Sequence, residues 1–144
     1  MTTSVLLSLM LSVSAPALKD APKATPSIVG EWVAEKIVHS GQVDYHPETL
    51  WYTFTAEGKW VVVRGGKELG GKDRGYTLDP KASPAAVDFT LDRTKADARK
   101  ILGIYRLDGD TLTLCLREDG IPRPAVFESP AEGSVSLIVF KRVK

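Results

Sequence analysis

From Ile28 onward, apolar side chains recur at every second residue, in short runs broken by glycine, proline and acidic turns. The runs are residues 30–38 (GEWVAEKIV), 49–55 (TLWYTFT), 59–64 (KWVVVR), 74–79 (RGYTLD) and 86–91 (AVDFTL). They continue with 102–107 (LGIYRL), 111–117 (TLTLCLR), 125–128 and 134–142 (SVSLIVFKR). A period of two sends successive side chains to opposite faces, which suits a half-buried strand and not a helix. Ala56-Glu57-Gly58 reads as a short hairpin loop. The Asp108-Gly109 pair is a stronger hairpin signal, because a tight turn between alternating runs needs positive φ. Residues 94–100 (TKADARK) make the one helix candidate, two turns at most, and read better as a loop. The expected fold is all-β: an antiparallel meander of eight or nine short strands, closed as a barrel or nearly so. A two-sheet sandwich has the same local pattern.

The segment before Ile28 has a different character. Residues 5–13 (VLLSLMLSV) form an apolar run far short of the roughly 20 residues that cross a bilayer. With Ala15-Pro16-Ala17 behind it, the run has the length and small-residue ending of a secretory signal, although no Lys or Arg precedes it. The competing reading is a frayed N-terminus. The expected organisation is a signal at 1–17, a linker at 18–27 and one domain at 28–144, exported to the periplasm or beyond. Removal of the signal would leave no stable membrane insertion.

Charge and cysteine content exclude several classes. Nineteen Lys+Arg against 18 Asp+Glu leave a net charge of +1, without the basic excess of a nucleic-acid binder. The single cysteine, Cys115, precludes an internal disulfide and any thiolate-rich metal site. Asn is absent, so no N-glycosylation acceptor exists.

Several blocks carry a resemblance. Ile28-Val29-Gly30-Glu31-Trp32 is similar to the G-x-W opening strand of lipocalins. Residues 76–80 (YTLDP), 86–90 (AVDFT), 102–115 (LGIYRLDGDTLTLC), 123–127 (RPAVF) and the Phe140-Lys141-Arg142 ending are more specific. Together they resemble an uncharacterised lipocalin-like domain family expanded in planctomycete bacteria, over the whole of 28–144. The resemblance implies a barrel and a bacterial source, and no established activity. It also implies that Trp32, following Gly30, packs across the closed end with a basic residue of the last strand over its ring. Arg142 holds that position, with Lys141 beside it.

Trp51, Tyr52, Phe54 and Trp60 form a second aromatic group on neighbouring runs, with Tyr52 and Phe54 on the face opposite Trp51. They either fill the core or line an apolar calyx for a small hydrophobic ligand. Gly66 to Lys72 fits G-x-x-x-x-G-K, but Asp73 stands where a phosphate loop needs Ser or Thr, and no helix follows. Asp44, His46 and Glu48 alternate as a metal site would, but Pro47 interrupts them and a surface loop is the simpler reading. Cys115 reads as a small inert hydrophobe; Arg106 across the hairpin is the cation that would activate it. With two histidines and no nucleophile–base motif, no catalytic residue, metal or cofactor is expected. The leading expectation is a non-catalytic barrel for a small hydrophobic ligand. The alternative is a cell-envelope interaction or structural module without ligand, and no protein partner can be named.

Overall fold

A computed structural model describes residues 27–70, 73–117 and 122–144. The expected signal at 1–17 lies outside the described residues, as does the linker at 18–27 apart from Ser27. Ten strands follow in order: β1 (Gly30–His39), β2 (Gln42–Val43), β3 (Leu50–Phe54), β4 (Trp60–Arg64), β5 (Lys67–Glu68), β6 (Gly75–Asp79), β7 (Ala86–Thr90), β8 (Lys100–Asp108), β9 (Thr111–Arg117) and β10 (Val135–Arg142). Eight of these coincide with the alternating runs, while β2 and β5 are two-residue strands. A 3-10 turn at Pro47–Thr49 is the one helical element among the described residues; 94–99 is turn and loop, and Lys100 opens β8.

Every pairing is antiparallel, in one sheet of order β5-β4-β3-β1-β10-β9-β8-β7-β6 with β2 added to β1. The long strands pair with their chain neighbours, and β1 also pairs with β10, joining the start of the meander to its end. This rolls the sheet into a half-barrel. Its outer strands β4 and β6 meet at a single bridge, Lys59 with Gly75. Beside it the Trp60 N–H donates to the Arg74 carbonyl at 3.1 Å and the Tyr76 N–H to the Gly58 carbonyl at 3.0 Å. Past that point β4 pairs with β5.

Local chemistry sets the register. In β1, Ala34 pairs with Phe140 and Lys36 with Val139, so Glu35 is an extra residue in a β-bulge. A bulge reverses the inward set. Trp32 and Ala34 point inward before it and Ile37 after it, leaving Lys36 exposed. Asp108 pairs with Thr111, so the β8–β9 turn is Gly109-Asp110. Only Gly109 has positive φ there (58°). Glycine at the first central position is the type II′ arrangement, whereas the Asp108-Gly109 reading placed it second.

The interior is packed with Trp32, Phe54, Phe89, Leu112, Leu114 and Phe140, all fully or almost fully buried. Each contributes roughly 1.5–3 kcal/mol relative to an exposed position. The expected strand at 125–128 does not form. The 122–134 stretch contributes to a second buried cluster, in which Phe127 and Leu137 pack on Ile104, Cys115 and Val135. Arg123 secures this stretch by donating to the carbonyls of Val87 (3.1 Å) and Gly103 (2.9 Å) and pairing with Asp88 at 2.7 Å. Both faces of β9 are thereby covered, which accounts for five consecutive buried residues in it.

Candidate functional site

The two ends of the barrel are built differently. At one end Trp32 is wholly buried and its indole N–H donates to the Ile28 carbonyl at 2.8 Å. Arg142, its cross-strand partner, lies over the ring at 4.3 Å from the centroid. The same guanidinium donates to the carbonyls of Val29 (3.0 Å) and Ser27 (2.8 Å) and lies 3.4 Å from the Asp110 carboxylate. Gly30 permits this approach: it has φ +133°, and a Cβ there would lie 3.1 Å from Arg142 Nη1. Gly30, Trp32 and Arg142 thus lie together, with the last strand's arginine over the indole ring.

The aromatic group divides between two faces. Trp51 is on the outside, 37% exposed, with its indole N–H donating to the Glu48 carbonyl at 3.1 Å. Tyr52, Phe54 and Trp60 are inside, where Tyr52 stacks near Phe140 at 4.7 Å and edge-on to Trp60 at 5.4 Å. Trp60 lies 4.4 Å from Phe89, and Phe54 lies 5.0 Å from Tyr76. These rings fill the middle of the barrel. They also form a floor.

Above that floor a cavity of about 590 Å³ opens to solvent at the end away from Trp32. Its apolar lining comes from Leu50, Tyr52, Trp60, Val62, Ile101 and Ile138. Its polar lining is unexpected for a plain apolar calyx: Arg64, Arg74, Arg99, His39 and Ser136, with Asp44 the one carboxylate among the described residues. Asp44 is taken by Arg64, which forms a charged hydrogen bond with it. That bond, with a second from the His46 backbone N–H, holds the Asp44 carboxyl below the usual carboxylate range. His39 Nδ1 and Ser136 Oγ share a hydrogen bond of 2.6 Å. Two donors in the wall remain without an acceptor: Trp60 Nε1 and Arg74 Nε are buried and have no hydrogen-bond partner among the described residues. An unsatisfied buried donor ordinarily costs about 1–3 kcal/mol.

The chain matches no protein-family model, no curated protein and no solved structure. Its chemistry therefore has to be read from the geometry.

The other candidate residues do not join this cavity as a reactive set. Asp44 turns to Arg64, while His46 faces Glu48 at 3.5 Å, both largely exposed. No group of three potential metal ligands occurs among the described residues. Within the G-x-x-x-x-G-K stretch, Lys67 and Glu68 are β5 and the Leu69 N–H donates to the Val62 carbonyl at 2.8 Å. Asp73 pairs with Arg93 at 2.8 Å. Cys115 is buried, and burial pushes its thiol up, against smaller opposing effects of the Glu128 backbone bond and Arg117. Arg106 stacks on Phe127 at 4.8 Å instead.

The arginines of the mouth went unnoticed in the sequence. One signal was there to use: alternation along β4 puts Arg64 on the inward face with Trp60 and Val62. Likewise Arg99 precedes β8 at the spacing that places it beside Ile101.

Proposed function

We propose that residues 28–144 form an exported, non-catalytic, lipocalin-like barrel that binds a small hydrophobic ligand in the open-end cavity. The observation that carries this reading is the cavity itself, about 590 Å³ of space over an aromatic and aliphatic floor. Ligand pockets commonly hold about 300–1,000 Å³, mostly apolar with a few placed polar groups. Trp60 borders the cavity, so a neutral hydrophobe such as dodecanol is expected to change tryptophan fluorescence saturably. That response is expected to vanish in Trp60→Phe and persist in Trp51→Phe. No saturable change with dodecanol or other neutral hydrophobes would overturn the reading.

The competing reading, an interaction module without ligand, is favoured by one feature. Trp51 stands half-exposed in an outer groove with Val63, Thr53 and the Gly65-Gly66 turn. It predicts a silent interior in the same titration. Export has its own check: mass spectrometry of the protein made in a bacterial host should find residues 1–17 removed, and an intact Met1 on a cytoplasmic product would contradict it.

A further inference from the structure

We infer that the ligand of the open-end cavity is an anionic amphiphile, with its apolar body over Leu50, Val62, Ile101 and Ile138 and its headgroup at the wall formed by Trp60 and Arg74. The inference rests on the reading of this cavity as a ligand site, and adds the charge and placement of the ligand.

Three observations support it. Asp44 is the one carboxylate among the described residues of the cavity lining, and Arg64 already engages it. No carboxylate among the described residues forms an ion pair with Arg74. A cation-rich, partly desolvated mouth favours an anion and repels a cation. Next, of three unpartnered buried donors among the described residues, Arg117 Nε lies outside the cavity lining and the other two belong to adjacent side chains. The Arg74 guanidinium carbon is 5.4 Å from the centroid of the Trp60 ring, and Trp60 itself is only 3% exposed. Trp60 Nε1 and Arg74 Nε can only donate, so the group that satisfies them must be an acceptor. A carboxylate, phosphate or sulfate fits that requirement, and an ammonium does not.

The third observation locates the headgroup. A second, smaller hollow of about 360 Å³, lined also by Glu68 and Asp73, lies along the gap between β4 and β6 and shares Trp60, Leu69 and Arg74 with the main cavity. These three shared side chains form the partition where the barrel wall is incomplete. A headgroup on the main-cavity side of it, which Glu68 and Asp73 do not line, meets arginine and indole donors while its chain remains over the apolar floor. A small anion alone would leave that floor uncovered, and a neutral hydrophobe would leave the donors unmatched.

The test compares dodecanoate, dodecanol and acetate on the full chain, by calorimetry and tryptophan fluorescence. Dodecanoate is expected to bind tighter than dodecanol by about tenfold or more, the scale of one charge-assisted contact. Acetate at comparable concentration is expected not to displace it. Arg74→Gln is expected to remove most of the preference, whereas Trp51→Phe, on the outer face, is expected to leave it unchanged. Arg74→Lys, which keeps the charge but loses the planar fork, is expected to restore part of it. Equal binding of dodecanol and dodecanoate, an undiminished preference in Arg74→Gln, or competition by acetate would each overturn the anionic amphiphile. The first of these leaves the hydrophobic-ligand reading standing. Failure of both long-chain probes to bind overturns both.

Discussion

At the Trp32 end of the barrel the indole N–H has its acceptor and the guanidinium of Arg142 is shared among two carbonyls, a carboxylate and a ring face. In the wall of the cavity an equally buried indole N–H, that of Trp60, has no acceptor among the described residues, and the neighbouring Arg74 has an unmatched Nε. One sheet therefore carries two tryptophan–arginine pairs in opposite states of satisfaction. Buried polar groups are normally hydrogen-bonded, and the third exception among the described residues, Arg117 Nε, lies outside the cavity lining. The first pair is fully matched within the fold, and the second is the one on which the proposed ligand reading rests.

The sharpest way to break this comparison is to remove the closed-end ring. Trp32→Ala is expected to lower stability in urea melts by about 3–5 kcal/mol, the usual cost of emptying a large buried aromatic site. A loss under about 1 kcal/mol would show that Trp32 is not the keystone of that end. Arg142→Ala comes next, at about 2 kcal/mol, because it removes the stacked cation and strands two carbonyls.

A finer comparison uses one substitution at both ends. Trp32→Phe removes a donor whose partner, the Ile28 carbonyl, is then orphaned, at a cost of about 1–3 kcal/mol. Trp60→Phe removes a donor that had no partner, so its cost is expected to stay within about 1 kcal/mol, all of it from lost packing. Equal losses in the two variants would mean that Trp60 Nε1 has an acceptor after all, and the contrast between the ends would collapse.

The smallest effect is set by pH and is expected at both ends. At the closed end Asp110 is held below its usual value of 3.8 first by a hydrogen bond from Lys144, then by the charges of Lys144 and Arg142. At the open end Asp44 is held below it first by Arg64. A lowered folded-state value means that the unfolded chain binds the proton more readily. The contribution is therefore complete above about pH 3.8 and is lost as pH falls through the lowered values. Asp110 is half-exposed and Asp44 only partly buried, so the loss is modest. Asp110→Asn and Asp44→Asn should each flatten the acid limb of a stability–pH curve, and an unchanged limb in both would contradict the assignment.

The sequence made the strands legible because inward and outward residues alternate in eight of them. It was silent where alternation fails. The Glu35 bulge reverses the inward set halfway along β1, so Ile37 and not Lys36 is buried, which no period-two reading anticipates. Residues 125–128 have strand-like composition but serve as a cover over β8 and β9, a role set by tertiary packing. For the site, the aromatic residues were visible and their division between faces followed from spacing. The arginine mouth was not, because Arg64, Arg74 and Arg99 come from separate strand ends and loops and meet only when the meander curls. Arg64 and Arg99 were within reach of the alternation, one at the end of β4 and the other just before β8.

The central claim is that ligand enters at the Trp60 end. The direct measurement is a two-dimensional nitrogen–proton spectrum of the labelled protein during a dodecanol titration. Three tryptophans supply three indole N–H signals. Saturable movement of the Trp60 indole signal, with backbone amides of Leu50, Val62, Ile101 and Ile138 shifting alongside and the Trp32 and Trp51 indoles still, is the predicted result. A stationary Trp60 signal, or movement confined to Trp32 or Trp51, would contradict it.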